Sequence, residues 1–230
     1  MKPLLLLFCL CFATALSAQE SRPPDTTAGT RGFNTLFGKG SGGTMPQPGF
    51  FAELNGGYTR FGGRNVFLPG ISLGVILSHH WTIGLSGSFI GNLKGLYYHN
   101  IYFDSTANRK HGANLNGGFG AVLLEYTLHP KARVHFAFPL LIGIGDLYYT
   151  HQSHHNDSTI SHHDWKPGNV IKDHFFFLEP GVRVEANMIR ALRIGLGISY
   201  RYAPNLDLRN TPANLVNQFT ATLRLRFGRF

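Results

Sequence analysis

The chain has 230 residues, with 21 Lys and Arg against 12 Asp and Glu, which gives a formal net charge of +9. Charged residues make up only 14% of the sequence, while glycine is frequent (28 residues) and aromatic residues reach 13%; this composition argues against a disordered chain and a charge-rich coiled coil. Beyond residue 18 no apolar run approaches the ~20 residues of a membrane helix, so a helical membrane protein is excluded and a membrane β-barrel is not.

The first eighteen residues have the features of a secretory signal peptide. A positive start at Lys2 precedes an apolar run over residues 4–16, and small residues follow it. We expect cleavage after Ala18, although cleavage after Ala15 fits the small-x-small rule better and stays open. Both cysteines of the chain lie in this segment, so the mature protein is expected to have no disulfide and no cysteine-containing metal site.

Residues 19–48 differ in character from what precedes and follows them. They are rich in turn and linker residues, as in the Gly38-Lys-Gly-Ser-Gly-Gly stretch, and show little periodicity. We expect a flexible periplasmic N-terminal segment ahead of a folded domain that covers residues 49–230.

From residue 50 onward the hydrophobic pattern has the two-residue period of a β-strand. Eight alternating segments cover about 50–59, 71–78, 81–90, 113–128, 133–149, 171–186, 192–201 and 219–227. The connections alternate in length, with short ones near 78–80, 129–131 and 188–190 and longer ones at about 61–65, 91–111, 150–170 and 203–213. Short turns at one end and longer loops at the other are typical of a membrane barrel.

The sequence therefore predicts an all-β protein, an eight-stranded antiparallel up-and-down transmembrane β-barrel. Ten strands are the alternative, because 91–111 and 150–170 are each long enough to hold a hairpin. Aromatic residues near the two ends of the predicted strands predict belts at the membrane surfaces. They are Trp81 and Tyr126 near the short turns, and Tyr97, Tyr98, Tyr102, Phe103, Tyr148 and Tyr149 near the longer connections.

The exported chain, the alternating strands and the C-terminal Phe230 resemble the eight-stranded outer-membrane barrels of the OmpA, OmpX and OmpW type over roughly residues 49–230. The resemblance implies residence in the cell outer membrane and contact with its lipid. In that family the terminal aromatic strand is read by the barrel assembly machinery, which here implies Phe227 and Phe230 as the assembly signal. Phe230 is out of phase with the outward stripe, and a bulge at Gly228 would restore it.

Strand parity places ten ionisable side chains inside the predicted barrel. They are Glu53, Glu125, His135, Glu179, Arg183, Glu185, Arg193, Arg201, Arg224 and Arg226. A lone buried charge is costly, so we expect these groups to form an ion-pair network. Since eight strands leave a lumen just wide enough for side chains, the sequence predicts a plugged barrel and not an open pore.

The assumed lengths of the turns predict which inward residues lie opposite each other on neighbouring strands. A three-residue turn at 188–190 would place Glu185 opposite Arg193. The same construction at 129–131 would place Glu125 opposite His135. Closure of the first strand against the last would make Glu53 a neighbour of Arg226.

Five histidines fall in one predicted loop together with Asp157 and Asp164. They are His151, His154, His155, His162 and His163. Imidazole and carboxylate together suit zinc, copper or nickel, but the spacing corresponds to no fixed ligand geometry. A solvated polar loop and weak transition-metal binding by residues 151–164 both stay open, and no other cofactor is expected.

These features favour a non-enzymatic outer-membrane barrel that serves structure, surface contact or loop-mediated binding. The first alternative is transport of a small or apolar molecule across the outer membrane, and the second is a lipid-modifying enzyme. Such an enzyme would need a serine, a histidine and an acid near the outer lipid boundary, whereas Ser78 and His79 fall in a periplasmic turn. The arginines alternate into the lumen, so no nucleic-acid partner is expected, and we expect a monomer.

Overall fold

The computed structural model describes residues 34–35, 38–39, 48–91, 96–104, 109–150, 172–204, 206–208 and 211–230. The predicted signal peptide and the predicted histidine loop lie outside these residues. Within them the regular structure consists of eleven strands: β1 (Asn34–Thr35), β2 (Gly38–Lys39), β3 (Gly49–Phe61), β4 (Arg64–Leu77), β5 (Trp81–Phe89), β6 (Tyr97–Asp104), β7 (Arg109–Leu128), β8 (Val134–Thr150), β9 (Lys172–Ile189), β10 (Leu192–Tyr200) and β11 (Phe219–Gly228). Among these residues no helix is long and apolar enough to cross a membrane.

Eight strands form one closed antiparallel ring. The sheet runs β5-β4-β3-β11-β10-β9-β8-β7, and pairing of β5 with β7 from Trp81↔Tyr126 to Phe89↔Gly118 closes it. The separate strands β1 and β2 pair only with each other, through Asn34↔Lys39 and Thr35↔Gly38. The prediction of an eight-stranded antiparallel barrel is therefore confirmed.

The segment 91–111, predicted as a long loop, instead continues the barrel wall. Strand β6 pairs with the first part of β7, from Tyr97↔Asn114 to Asp104↔Arg109, just beyond the part of β7 that pairs with β5. Together β5 and β6 act as one interrupted strand of the ring. This segment adds no hairpin to the ring, and β8 and β9, which flank the second long segment, pair directly with each other. The ring therefore closes with eight strands, and the ten-stranded alternative is wrong.

The wall of the barrel is apolar outside and mixed inside. Outward residues such as Phe50, Leu85, Phe176 and Phe219 are 65–69% exposed. The alternate positions of the same strands are buried, as the pattern of β3 shows for Phe51 and the residues that follow it. This is the alternation that the two-residue period predicts.

We call one end of the barrel the foot. It carries the turns 78–80, 129–133 and 189–191 and the C-terminal residues 228–230. Backbone hydrogen bonds tie these segments to one another or to neighbouring strands. The Thr127 amide donates to the His80 carbonyl (2.7 Å), the Asn187 amide to the Arg133 carbonyl (2.8 Å), and the Gly228 amide to the Ala191 carbonyl (3.0 Å).

We call the opposite end the mouth; β6 and the first residues of β7 extend the wall there. The predicted longer connection at 61–65 is in fact a two-residue turn between Phe61 and Arg64. Its residues Gly62 and Gly63 have φ values of 54° and 81°, which favour glycine. The prediction that every connection at this end is long is therefore wrong.

Two predicted registers differ from the structure, although no side chain changes face. Glu185 lies opposite Gly195, not Arg193, because β9 and β10 meet through a two-residue turn and a bulge at Leu192/Arg193. Glu125 lies opposite Pro139, not His135. Both shifts are even numbers of residues, two and four, so the period of two preserves the inward positions.

The longer turn between β7 and β8 has a specific physical support. Leu128 pairs with Phe136, so residues 129–135 separate the paired positions. The Asn187 side-chain amide donates to the carbonyls of Pro130 (3.1 Å) and Ala132 (2.5 Å), and this holds the turn in its open form. The sequence of the turn itself does not indicate that Asn187, a residue of β9, supports it.

Candidate functional site

The lumen is the candidate site, because it gathers almost all of the buried charge. The ten ionisable residues predicted to face inward are each 7% exposed or less. Eight of them lie toward the foot, and we call this group the foot cluster. Its members are Glu53, Glu125, His135, Arg183, Glu185, Arg193, Arg224 and Arg226.

Two carboxylates and two guanidinium groups form the centre of the foot cluster. Glu53 on β3 lies directly opposite Arg226 on β11, and the Arg226 Nε donates to Glu53 Oε2 at 2.7 Å. Arg226 also makes two contacts to Glu125, Nη1 to Oε1 at 2.6 Å and Nη2 to Oε2 at 3.4 Å. Arg183 reaches Glu53 (3.4 Å) and also binds Glu125, so the four groups neutralise one another.

The remaining members surround this centre. Arg224 Nη1 donates to Glu53 Oε1 at 2.9 Å, and Arg183 Nη1 donates to Glu185 Oε1 at 3.0 Å. His135 Nε2 lies 3.3 Å from Glu185 Oε2. His135 therefore contacts Glu185, whereas the register predicted from turn length had placed it opposite Glu125.

Glycine makes room for the long side chains. A Cβ atom on Gly195 would lie 2.8 Å from Cδ of Arg183, and one on Gly197 would lie 3.2 Å from Arg183 Cβ. These two inward positions on β10 thus let the Arg183 side chain cross toward β3 and β7. A larger residue at Gly195 would displace the central arginine.

The other two ionisable residues form a separate pair nearer the mouth. Arg201 Nε donates to Glu179 Oε2 at 2.7 Å, and the Ser199 hydroxyl donates to Glu179 Oε1 at 2.6 Å. The Arg201 guanidinium also lies over the Phe119 ring, 3.9 Å from its centroid. This cation–π contact joins the charged part of the lumen to an apolar part.

That apolar part closes the lumen at the mouth, and we call it the mouth cap. Its buried members are Phe61, Val66, Leu68, Ile90, Leu96, Ala113, Leu115, Phe119, Leu147, Tyr149, Phe175, Phe177, Ala203, Leu206, Leu208, Leu215 and Val216. The last five come from the connection between β10 and β11, predicted as an outer loop. The described part of this connection instead packs into the barrel.

Two tyrosines predicted for the outer aromatic belt belong to the mouth cap instead. Tyr149 is 1% exposed, and its hydroxyl lies 2.6 Å from Thr211 Oγ1. The Tyr98 hydroxyl donates to the Phe61 carbonyl at 2.9 Å. Near the foot, by contrast, Trp81 and Tyr126 do pack together on the outer wall, with ring centroids 4.9 Å apart and the ring planes tilted by 54°.

A smaller apolar group closes the lumen at the foot. Phe51, Ile76 and Leu123 are buried there, and Phe230 packs against them. The predicted bulge at Gly228 is wrong, because the register continues from Phe227↔Ala52 to Gly228↔Phe51. Phe227 is 46% exposed on the outer wall, whereas Phe230 turns inward and lies under the Arg193 guanidinium at 3.9 Å.

The predicted metal ligands belong to the segment 151–164. All five histidines between 151 and 163 lie outside the described residues, so metal binding stays a prediction. In the ranges that are described, no group of three or more His, Cys, Asp or Glu side chains is arranged to hold a metal ion.

Comparisons with known proteins give a fold and no closer relationship. No model of a known protein family matches the chain, and no curated protein matches it either. Among solved structures, Neisserial surface protein A is similar at a TM-score of 0.51 and 10% identity, over 79% of this chain and 96% of that one.

Two further solved structures are similar at lower scores. Ail, the attachment invasion locus protein of Yersinia pestis, has a TM-score of 0.43 and 12% identity, over 80% of this chain and 98% of its own. A major outer membrane protein from Thermus thermophilus has a TM-score of 0.44 and 12% identity, over 80% of this chain and 100% of its own. With the closed ring described above, the chain has the fold of the small eight-stranded outer-membrane barrels.

Proposed function

We propose that the protein is a closed, non-enzymatic barrel of the cell outer membrane that serves structure, surface contact or binding through its loops. It reaches the membrane as an exported chain whose signal peptide is removed. Its strands contact outer-membrane lipid, and its last strand, through Phe227 and Phe230, is its contact with the barrel assembly machinery.

The inverted polarity of the wall supports residence in a membrane. Large apolar side chains cover the outside of the ring, while arginines and glutamates fill its inside. Contiguous apolar surface of this extent is unfavourable in water. In hydrocarbon the same arrangement is favourable, because an antiparallel closed ring satisfies its backbone hydrogen bonds internally.

The proposal that the barrel has no open pore rests on the side chains that fill its lumen. The central side chains of the foot cluster, Arg183, Glu53 and Glu125, are at most 2% exposed. Apolar layers lie on both sides of the charged groups, at the foot and at the mouth cap. A solute would have to displace both layers and separate four mutually bound charges.

Conductance of the refolded protein in a planar bilayer tests this function. Folding is first shown by a mobility difference between unheated and boiled samples on a gel. We expect no steady current steps from the folded protein. As a positive control, a variant with residues 203–216 replaced by a Gly-Ser linker of equal length, together with E125L and R226M, should conduct.

Steady and reproducible steps from the unmodified folded barrel would contradict the proposal and favour transport. Silence from the unmodified barrel, with steps from the control variant, would support it. Hydrolysis or acyl transfer on outer-membrane lipid by the folded protein would contradict the non-enzymatic part.

A further inference from the structure

The foot of the barrel carries an excess of positive charge. Its four segments contain Lys131, Arg133, Arg190 and Arg229, all exposed, together with three histidines. The histidines are His79, His80 and His129. No Asp or Glu occurs in residues 78–80, 129–133, 189–191 or 228–230. We call this set of basic side chains the basic rim.

The mouth is different in composition. Acidic side chains occur there among the basic ones, such as Asp146 and Asp173 beside Lys172 near the ends of β8 and β9. The exposed charge of the mouth is therefore mixed. A single-sign surface at the foot favours an anionic partner there.

The position of the basic rim is tied to the edge of the apolar wall. Arg133 directly precedes Val134, which is 54% exposed on the outer wall, and Arg190 directly follows Ile189, which is 46% exposed. Each residue of a strand spans about 3.3 Å. The basic groups therefore begin within one residue of the last apolar side chain.

The aromatic pair at the foot marks the same level. Trp81 follows His80 along the chain and packs against Tyr126 with the ring centroids 4.9 Å apart. The His80 ring stacks on Tyr126 with the centroids 6.0 Å apart. Amphipathic aromatic rings of this kind sit at the headgroup level of a bilayer. Long basic side chains just beyond them reach the lipid phosphates.

The basic rim is also a connected surface. Hydrogen bonds join the turn 78–80 to the end of β7, the turn 129–133 to β9, and Gly228 to Ala191. The Arg229 amide in addition donates to the Phe50 carbonyl at 3.0 Å. Basic side chains from four separate segments are thus held around one circumference.

We propose that the basic rim binds the phosphate groups of anionic phospholipids in the leaflet that surrounds the foot. This inference rests on the proposed function, because it needs the barrel to span a membrane. The ligand is an anionic glycerophospholipid headgroup. The basic rim recognises its negative charge, and the headgroup lies at the same depth in the bilayer as Trp81. The protein thereby collects a shell of anionic lipid around its foot.

Quenching of Trp81 fluorescence by brominated lipids tests the proposal. The chain contains two tryptophans, so W165F leaves Trp81 as the single reporter. The protein is folded into phosphatidylcholine vesicles that contain a minor fraction of brominated phosphatidylglycerol or, in parallel, the same fraction of brominated phosphatidylcholine. We expect phosphatidylglycerol to be enriched about five-fold beside Trp81. This is the enrichment expected when roughly one basic group attracts the anionic headgroup.

Matched variants assign the effect to the rim. The triple change K131Q/R133Q/R229Q removes three exposed charges from the foot, and R60Q/R64Q/K172Q removes three from the mouth. Only the foot variant should lower the enrichment, and Arg190 is the one arginine or lysine of the basic rim that it leaves in place. High salt should reduce it as well, because these charges are exposed.

Two outcomes would overturn the proposal. One is equal quenching by the two brominated lipids in a barrel that passes the gel test of folding; the other is equal loss of enrichment in the foot and mouth variants. Loss of enrichment on adding millimolar glycerol 3-phosphate would also overturn it, in favour of a soluble phosphate ligand. A barrel that folds and stays silent in the bilayer but shows no enrichment leaves the proposed function intact.

Discussion

The two halves of the lumen are filled by opposite chemistry. Toward the foot, four groups (Glu53, Glu125, Arg183 and Arg226) bind one another at the centre of a charged cluster. Toward the mouth, the interior is an apolar cap of aliphatic and aromatic side chains. The Arg201–Glu179 pair, with Arg201 over the Phe119 ring, lies where they meet.

The two halves also differ in where their side chains originate. The foot cluster comes entirely from inward positions of regular strands, so each charged group is fixed by the backbone of the ring. The mouth cap takes five of its buried members from the connection between β10 and β11. Every charged group of the foot cluster is therefore held by the backbone of the ring, whereas part of the mouth cap is held by an irregular connection.

The largest effect should come from breaking the charged half. The substitution E125L removes the carboxylate that both Arg183 and Arg226 bind, and it leaves two buried guanidinium groups with only part of their compensating charge. Breaking a buried pair in this way costs about 3–5 kcal/mol. Urea unfolding from phospholipid vesicles, followed by tryptophan fluorescence, measures the loss in free energy of unfolding.

A second variant separates charge from packing. In E125L/R226M a carboxylate and a guanidinium are lost together, so the balance of buried charge is kept. The double variant should then be more stable than E125L alone, since apolar replacement of a buried pair is often close to neutral. A double variant that loses the sum of the two single effects would show that shape, not charge, holds this layer.

A smaller effect is expected in the apolar half. Leu115 is completely buried in the mouth cap, and L115A would remove its side-chain methyl groups. Leu-to-Ala changes in protein cores cost about 2–5 kcal/mol, and the cost falls where neighbours collapse into the cavity. Because the cap includes an irregular segment, we expect a value in the lower half of that range in the same unfolding assay. A loss larger than that of E125L would contradict the contrast between a charged half held only by strands and an apolar half held partly by an irregular connection.

The sequence predicted the charged half better than the apolar half for a physical reason. A period of two assigns every strand residue to a face, and an even register shift leaves that assignment unchanged. Glu125 and Glu185 were therefore placed on the correct face although their cross-strand neighbours were wrong. Those neighbours depend on a bulge beside Arg193 and on the Asn187 side chain, which supports a turn from another strand.

The sequence pattern did not predict the mouth cap, because the connection that supplies five of its members has no hydrophobic period. Leu206, Leu208 and Leu215 lie in a segment with Pro and Asn residues that reads as an outer loop. Their burial is decided by the space that the ring leaves at the mouth. The inward direction of Phe230, in contrast, follows from simple parity once no bulge occurs at Gly228.

The smallest effect concerns the electrostatic potential of the foot. Burial lowers the pKa of the His79 imidazole below its ordinary value of 6.5. The nearby charges of Lys131 and Arg193 lower it further, and His80 adds to the shift. Burial and these neighbouring charges thus disfavour a positive charge at His79.

This shift gives a dependence of stability on pH with a definite sign. The folded protein prefers neutral His79, so this contribution is fully present above pH 6.5 and is lost as the pH falls through the lowered folded-state pKa. We expect H79Q to flatten the decline in free energy of unfolding below pH 6.5. K131Q should raise the His79 pKa toward 6.5 in an NMR titration, because it removes the charge that repels the imidazolium. An unchanged His79 pKa in K131Q would mean that the rim charges are screened, which would weaken the same field that is proposed to hold anionic lipid.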